Sequence, residues 1–157
     1  MNDLISLKKI PLFSTLSLEQ LASIDRLLLT RRYLKGEEIL RTGDLKPELH
    51  VIVEGEVRLH HDGGGRQLTL AHLGPGGFLG EMTLFANQPR PSSVQAVTDC
   101  VVRVLRKDRF EAIVHEHPEV LVEVIKHLCG RLRQADEQLQ GVTLPAPAQE
   151  EQTAAAG

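Results

Sequence analysis

The chain has 157 residues, enough for one domain with a buried core and a helical extension. A formal net charge of −3 and only 3% aromatic residues argue against broad nucleic-acid affinity and against a base-stacking surface. The two cysteines, Cys100 and Cys129, lack metal-ligand spacing and are expected as buried free thiols; with no apolar run of about 18 residues and no secretory leader pattern, a cytoplasmic protein with no membrane segment is expected.

From Ser6 to Leu29 the pattern is helical. Ser17 is a candidate N-cap with Gln20 as its capping-box partner, and Leu18, Leu21, Ile24, Leu27 and Leu28 follow at helical spacing. Ile10-Pro11-Leu12-Phe13 ahead of it reads as an apolar knob. From Thr30 the chain becomes short strands broken by turns, at Arg31–Leu34, Glu37–Arg41, Leu49–Glu54, Glu56–His61, Arg66–Leu73, Ser93–Thr98 and Cys100–Arg106. Asp62-Gly63-Gly64-Gly65 reads as a hairpin loop. About eight short strands at this spacing imply an antiparallel jelly roll. Helix resumes at Asp108, Pro118 opens the next helix, and Leu121, Val124, Leu128, Leu132, Ala135 and Leu139 form an apolar seam for the roll or for a second copy in a homodimer. Gly130 weakens that helix midway. The expected class is α+β: a helical lead-in over 6–29, an eight-stranded antiparallel roll over 30–106, helices over 108–140 and a disordered tail over 141–157.

The chemistry concentrates in GPGGFLGEMTLFANQPRPSSV, Gly74 to Val94. Its four glycines between 74 and 80 demand backbone freedom or close approach. Glu81 follows at once, and Arg90 stands nine residues further on between two prolines. Amides at a helix start and a guanidinium suit a phosphate, and a carboxylate beside them suits a sugar hydroxyl. A plain glycine turn with a surface ion pair stays open on spacing alone. The commoner phosphate-loop patterns are absent.

With helix, roll and two helices around this stretch, the chain resembles the cyclic nucleotide-binding domain. That family includes regulatory subunits of cyclic-nucleotide-dependent kinases, cyclic-nucleotide-gated channels and catabolite-activator transcription factors. The Gly43–Leu59 segment, GDLKPELHVIVEGEVRL, and the F-x-G-E cassette with its later Pro-Arg carry the resemblance. It implies that Arg90 pairs with the cyclic phosphate and that Glu81 accepts from the ribose 2′-hydroxyl. Amides around Gly80, Met82 and Thr83 would complete the cradle. It further implies a regulatory, non-enzymatic sensor for cAMP, ahead of cGMP, with no catalytic residue, no cofactor and no metal, and with an unidentified downstream protein.

Three positions depart from the family pattern. Gly76-Gly77 replaces the usual Gly-Asp. Pro91 follows the arginine where the family offers an amide donor, and Ser92 or Ser93 would supply a hydroxyl instead. The base contact of the activator branch falls at Ala135-Asp136, which makes Asp136 a candidate. These departures leave a second reading, a degenerate domain kept as a dimerisation or docking scaffold. The seven histidines offer no shared metal geometry, since His60 and His61 point to opposite strand faces. The tail has no helix-turn-helix pattern, so no direct nucleic-acid contact is expected.

Overall fold

The computed structural model describes residues 3–141. In chain order these form α1 (Asp3–Lys8), a 3₁₀ turn (Pro11–Phe13), α2 (Leu18–Asp25), β1 (Leu29–Tyr33), β2 (Glu38–Leu40), β3 (Glu48–Glu54), β4 (Val57–Gly63), β5 (Arg66–Leu73), β6 (Phe78–Leu79), α3 (Glu81–Ala86), β7 (Ser93–Ala96), β8 (Cys100–Arg106), α4 (Lys107–Glu116) and α5 (Glu119–Gln140). The chain clusters into two compact units, one through Val124 and one from Ile125 onward.

The lead-in is shorter in helix than its apolar spacing suggests. α2 starts where Ser17 caps it: the Ser17 hydroxyl accepts from the Gln20 amide, and the Gln20 side chain accepts from the Ser17 amide, closing the expected box. It ends at Asp25, so Leu27 and Leu28 belong to the link into β1. Of the expected knob, Ile10, Leu12 and Phe13 are buried, with Phe13 fully enclosed, while Pro11 is exposed.

Two four-stranded antiparallel sheets face each other, in the orders β1-β8-β3-β6 and β2-β7-β4-β5. Their shared interior holds Leu40, Ile52, Val57, Leu59, Leu79, Val94, Ala96, Val102 and Val104. The expected α+β roll of eight strands is therefore present, and its eighth strand is β6. Those two residues gave no periodic signal; they become a strand because His50 and Val51 of β3 pair with Leu79 and Phe78. The β4–β5 hairpin turns through Gly64 and Gly65, both at positive φ (59° and 79°), the backbone that a two-residue primed turn needs.

Two expectations about side chains change. Cys100 is buried as expected, but Cys129 is exposed. Val120 and Val124 are buried, so the Val124 position of the expected α5 seam belongs to the first unit's core. α5 also runs unbroken through Gly130, because a 22-residue helix satisfies its amides internally on both sides of one glycine. No helix among the described residues is long and apolar enough to cross a membrane. The expected disordered tail lies, from residue 142 on, outside the described residues.

Candidate functional site

The glycine-rich stretch is shaped by backbone bonds to the neighbouring strand. Gly77 N–H donates to Gly74 O at 3.1 Å, Gly76 N–H to Ile52 O at 2.8 Å, and Ile52 N–H to Gly77 O at 2.9 Å. Gly76 takes φ +93°, which an L side chain rarely adopts. A Cβ on Gly77 would stand 3.2 Å from Gly74 O, a tight contact that a small shift of the turn would have to relieve. The family's steadying acid is absent here, and main-chain bonds hold the loop in its place.

The turn feeds β6, and Gly80 then starts α3 at φ +99°. A Cβ at Gly80 would overlap the Glu48 carbonyl oxygen and lie 2.6 Å from Arg90 Nη1. Glycine is therefore required both for the backbone sign and for the close approach of the arginine. α3 receives no side-chain cap at its start, and Glu81 opens it, buried at 8% exposure.

Arg90 is the centre of the site. Its backbone is clamped to the β2–β3 turn: Gly43 N–H donates to Arg90 O at 2.9 Å and Arg90 N–H to Asp44 O at 3.0 Å. Its side chain is 3% exposed. Nη2 donates to the carbonyls of Lys46 (3.0 Å) and Glu48 (3.3 Å). Nε stands 3.7 Å from Asp44 Oδ2, an ion pair longer than a hydrogen bond, and neither Nε nor Nη1 has a hydrogen-bond partner among the described residues. Burial lowers the Arg90 pKa from its ordinary value, and the nearby carboxylates of Asp44, Glu48 and Glu81 oppose that shift. The Asp44 carboxyl is held below its usual range chiefly by the Lys46 amide, which donates to Oδ1 at 3.0 Å. A buried cation with two unused donors is an arrangement that an anion completes.

The other expected residues divide. Gly80, Glu81 and Arg90 are brought together. Thr83 is buried, but its hydroxyl donates to Gln88 O at 2.7 Å and closes the cassette onto itself. Met82 is 45% exposed. Pro91 is exposed and Ser92 is buried beside it. The Ser93 hydroxyl is engaged with Thr42, accepting from its amide at 3.0 Å and lying 3.0 Å from its hydroxyl. Asp136 belongs to the second unit and is exposed on α5. Asp44, Glu48 and His50 were assigned no role from sequence, although all three lie in the Gly43–Leu59 segment that carried the resemblance.

Beyond the cassette, α3 reaches α4. The Phe85 ring meets Phe110 edge-on, with centroids 5.4 Å apart. Around them Leu84, Val114 and Leu121, with Lys107, Glu111 and His115, line a cleft of about 550 Å³. Among the described residues no cluster of three metal-ligating side chains occurs.

The sequence profile described as the cyclic nucleotide-binding domain matches residues 30–117. The cyclic AMP receptor protein of Thermus thermophilus is 35% identical over 134 residues, covering 85% of this chain and 62% of that protein. A cAMP-dependent protein kinase regulatory subunit from Colletotrichum orbiculare is 31% identical over 69% of this chain and 27% of its own length. A crystal structure of a cyclic nucleotide-binding domain from Methylobacillus flagellatus superposes with a TM-score of 0.78 at 25% identity, covering 92% of this chain and 84% of that one. The chain thus spans less than two thirds of the length of the curated relatives it matches first.

Proposed function

The chain belongs to the cyclic nucleotide-binding domain family, and we propose that it is a regulatory sensor that binds a cyclic nucleotide, cAMP in preference to cGMP, through the Gly80–Arg90 cassette. The observation that carries this reading is the Arg90 guanidinium, buried, held on one edge by two carbonyls and left with unused donors on Nε and Nη1. A cyclic phosphodiester has one negative charge and needs no metal, so one such arginine balances it. Glu81 takes the ribose 2′-hydroxyl, the amides of Gly80, Met82 and Thr83 complete the cradle, and the Ser92 hydroxyl replaces only in part the donor that Pro91 lacks. The preference for cAMP rests on the relatives, whose names specify that nucleotide.

The bound state is read out through helices. Phosphate on Arg90 and the start of α3 draws the cassette inward, and Phe85 carries that movement to Phe110 of α4 and so toward α5. Such a relay requires that ligand bind the two arrangements with different affinity. On α5, Ile125, Cys129, Leu132, Asp136 and Leu139 recur at alternating four- and three-residue steps, and all are exposed. This heptad face suits a second copy of the chain, with Asp136 as the polar position that fixes register. It is the face on which the sensor dimerises and passes its state to a partner protein.

Pro91 favours a second reading, a scaffold that has lost its ligand. Calorimetric titration with cAMP and cGMP, on the wild type and on Arg90→Ala, separates the two. Micromolar binding of one nucleotide, weakened at least about tenfold by the substitution, is the outcome expected of a charged pair. Absence of heat at millimolar nucleotide, or binding indifferent to Arg90→Ala, supports the scaffold.

A further inference from the structure

His50 is the most enclosed polar side chain of the first unit, fully buried, and neither of its ring nitrogens has a hydrogen-bond partner among the described residues. On β3 it stands directly opposite Leu79 of β6 and Val104 of β8. Both of those residues line the interior of the roll, and directly opposed residues share a face, so His50 points inward as well. Leu79 leads straight into Gly80, and two residues back along β3 the Glu48 carbonyl receives Arg90 Nη2. The imidazole thus lies beneath the anion site, with Arg90 the strongest charge acting on it.

A buried imidazole whose nearest polar partner, Glu48 Oε1, stands 3.8 Å away is costly, and an apolar residue would fill the same space without that cost. Its surroundings offer a use. Burial and the Arg90 charge hold its pKa down to about 4, and Arg31 on β1 adds to them. Glu48 opposes these, its Oε1 3.8 Å from His50 Nε2, but that carboxylate is shared with Arg31 at 3.4 Å and with Arg106 of β8 at 4.0 Å. Asp44 and Glu81 flank Arg90 rather than His50. The one large charge near the ring that a ligand would change is therefore the guanidinium.

We propose that His50 is a positioning residue of the anion site that takes up a proton when an anion neutralises Arg90, so that cyclic nucleotide and proton bind together. The coupling is reciprocal: if ligand favours the protonated ring, lower pH favours ligand. Each unit by which loading raises the imidazole midpoint tightens binding by up to about tenfold below that midpoint. The proton comes from solvent and no bond to the nucleotide forms. This inference rests on the sensor reading above and deepens it.

The test uses the whole chain with cAMP and cGMP. Calorimetry at about pH 5.5 in two buffers of different ionisation enthalpy counts protons taken up on binding, for the wild type and for His50→Phe. Phenylalanine suits the apolar wall at this position, and His50→Gln serves as a second variant should it pack poorly. A parallel NMR titration follows the imidazole with and without ligand. The expected result is an upward shift of the ring's midpoint on loading, with a larger proton uptake in the wild type than in either variant. Proton uptake by Asp44, which flanks Arg90 rather than the ring, is common to all three proteins and cancels in the difference. Binding with equal proton counts, or a ring unmoved by ligand, overturns the role of His50 alone. Absence of binding by both nucleotides overturns the sensor reading and this inference together.

Discussion

Position 91 sets how many donors the cassette can offer. Proline has no amide hydrogen, and the adjacent Ser93 hydroxyl is already engaged with Thr42. One charge-assisted hydrogen bond contributes about 1.5–3 kcal/mol, so Pro91→Ala should tighten nucleotide binding by about 10- to 150-fold. Its effect on stability should stay within about 1 kcal/mol, the usual scale of a proline exchange in a compatible turn. Parallel titrations and denaturant melts measure both, and unchanged affinity would show that the Ser92 hydroxyl already supplies the missing bond. Glu81, Arg90 and the glycines were legible at this scale because residue type alone limits what they can do. The partners of Arg90 were not. It is bonded by the main-chain carbonyls of Lys46 and Glu48, 44 and 42 positions away, and a carbonyl is present at every residue. His50 was hidden for a related reason: its strand reads as a buried run, and only the pairing with Leu79 shows which site it underlies.

Among the elements, those whose signal is local were read correctly. The Ser17–Gln20 box and the glycine hairpin each fix their own geometry within a few residues. β6 is the contrary case, a two-residue strand made by its neighbour. The midpoint glycine of α5 lowers that helix's stability without interrupting it, and Gly130 has no atom within 4 Å of where a Cβ would stand. Alanine there meets no obstacle and restricts the unfolded chain. Gly130→Ala should stabilise α5 by about 1 kcal/mol, which is about fivefold in the protection of its amides against hydrogen exchange. Protection unchanged on both sides of residue 130 would mean that the helix already draws its stability from association through the Ile125–Leu139 face. A concentration series separates that case, since association makes protection rise with protein concentration.

For the molecule as a whole, the anion site places an ionisable ring where folding must keep it neutral. In the unfolded chain an imidazole titrates near its ordinary value of 6.5, whereas in the folded protein His50 titrates at about 4. Between those values the unfolded state binds more protons, so stability is complete above pH 6.5 and declines as pH falls toward 4. The loss between pH 7 and pH 5 should be about 2 kcal/mol. Asp44, whose carboxyl is depressed, adds its own loss only at lower pH, as acid approaches the ordinary value of 3.8. Denaturant unfolding of the ligand-free protein at the two pH values measures the decline. His50→Phe should reduce it by that amount, because phenylalanine carries no proton and leaves no unbonded nitrogen in the core. Saturating nucleotide should reduce it in the wild type as well, since an anion on Arg90 lets the folded ring accept the proton that the unfolded one accepts. An equal decline in the wild type and His50→Phe would assign the pH dependence to other groups and mean that the folded ring takes up its proton as readily as the unfolded one.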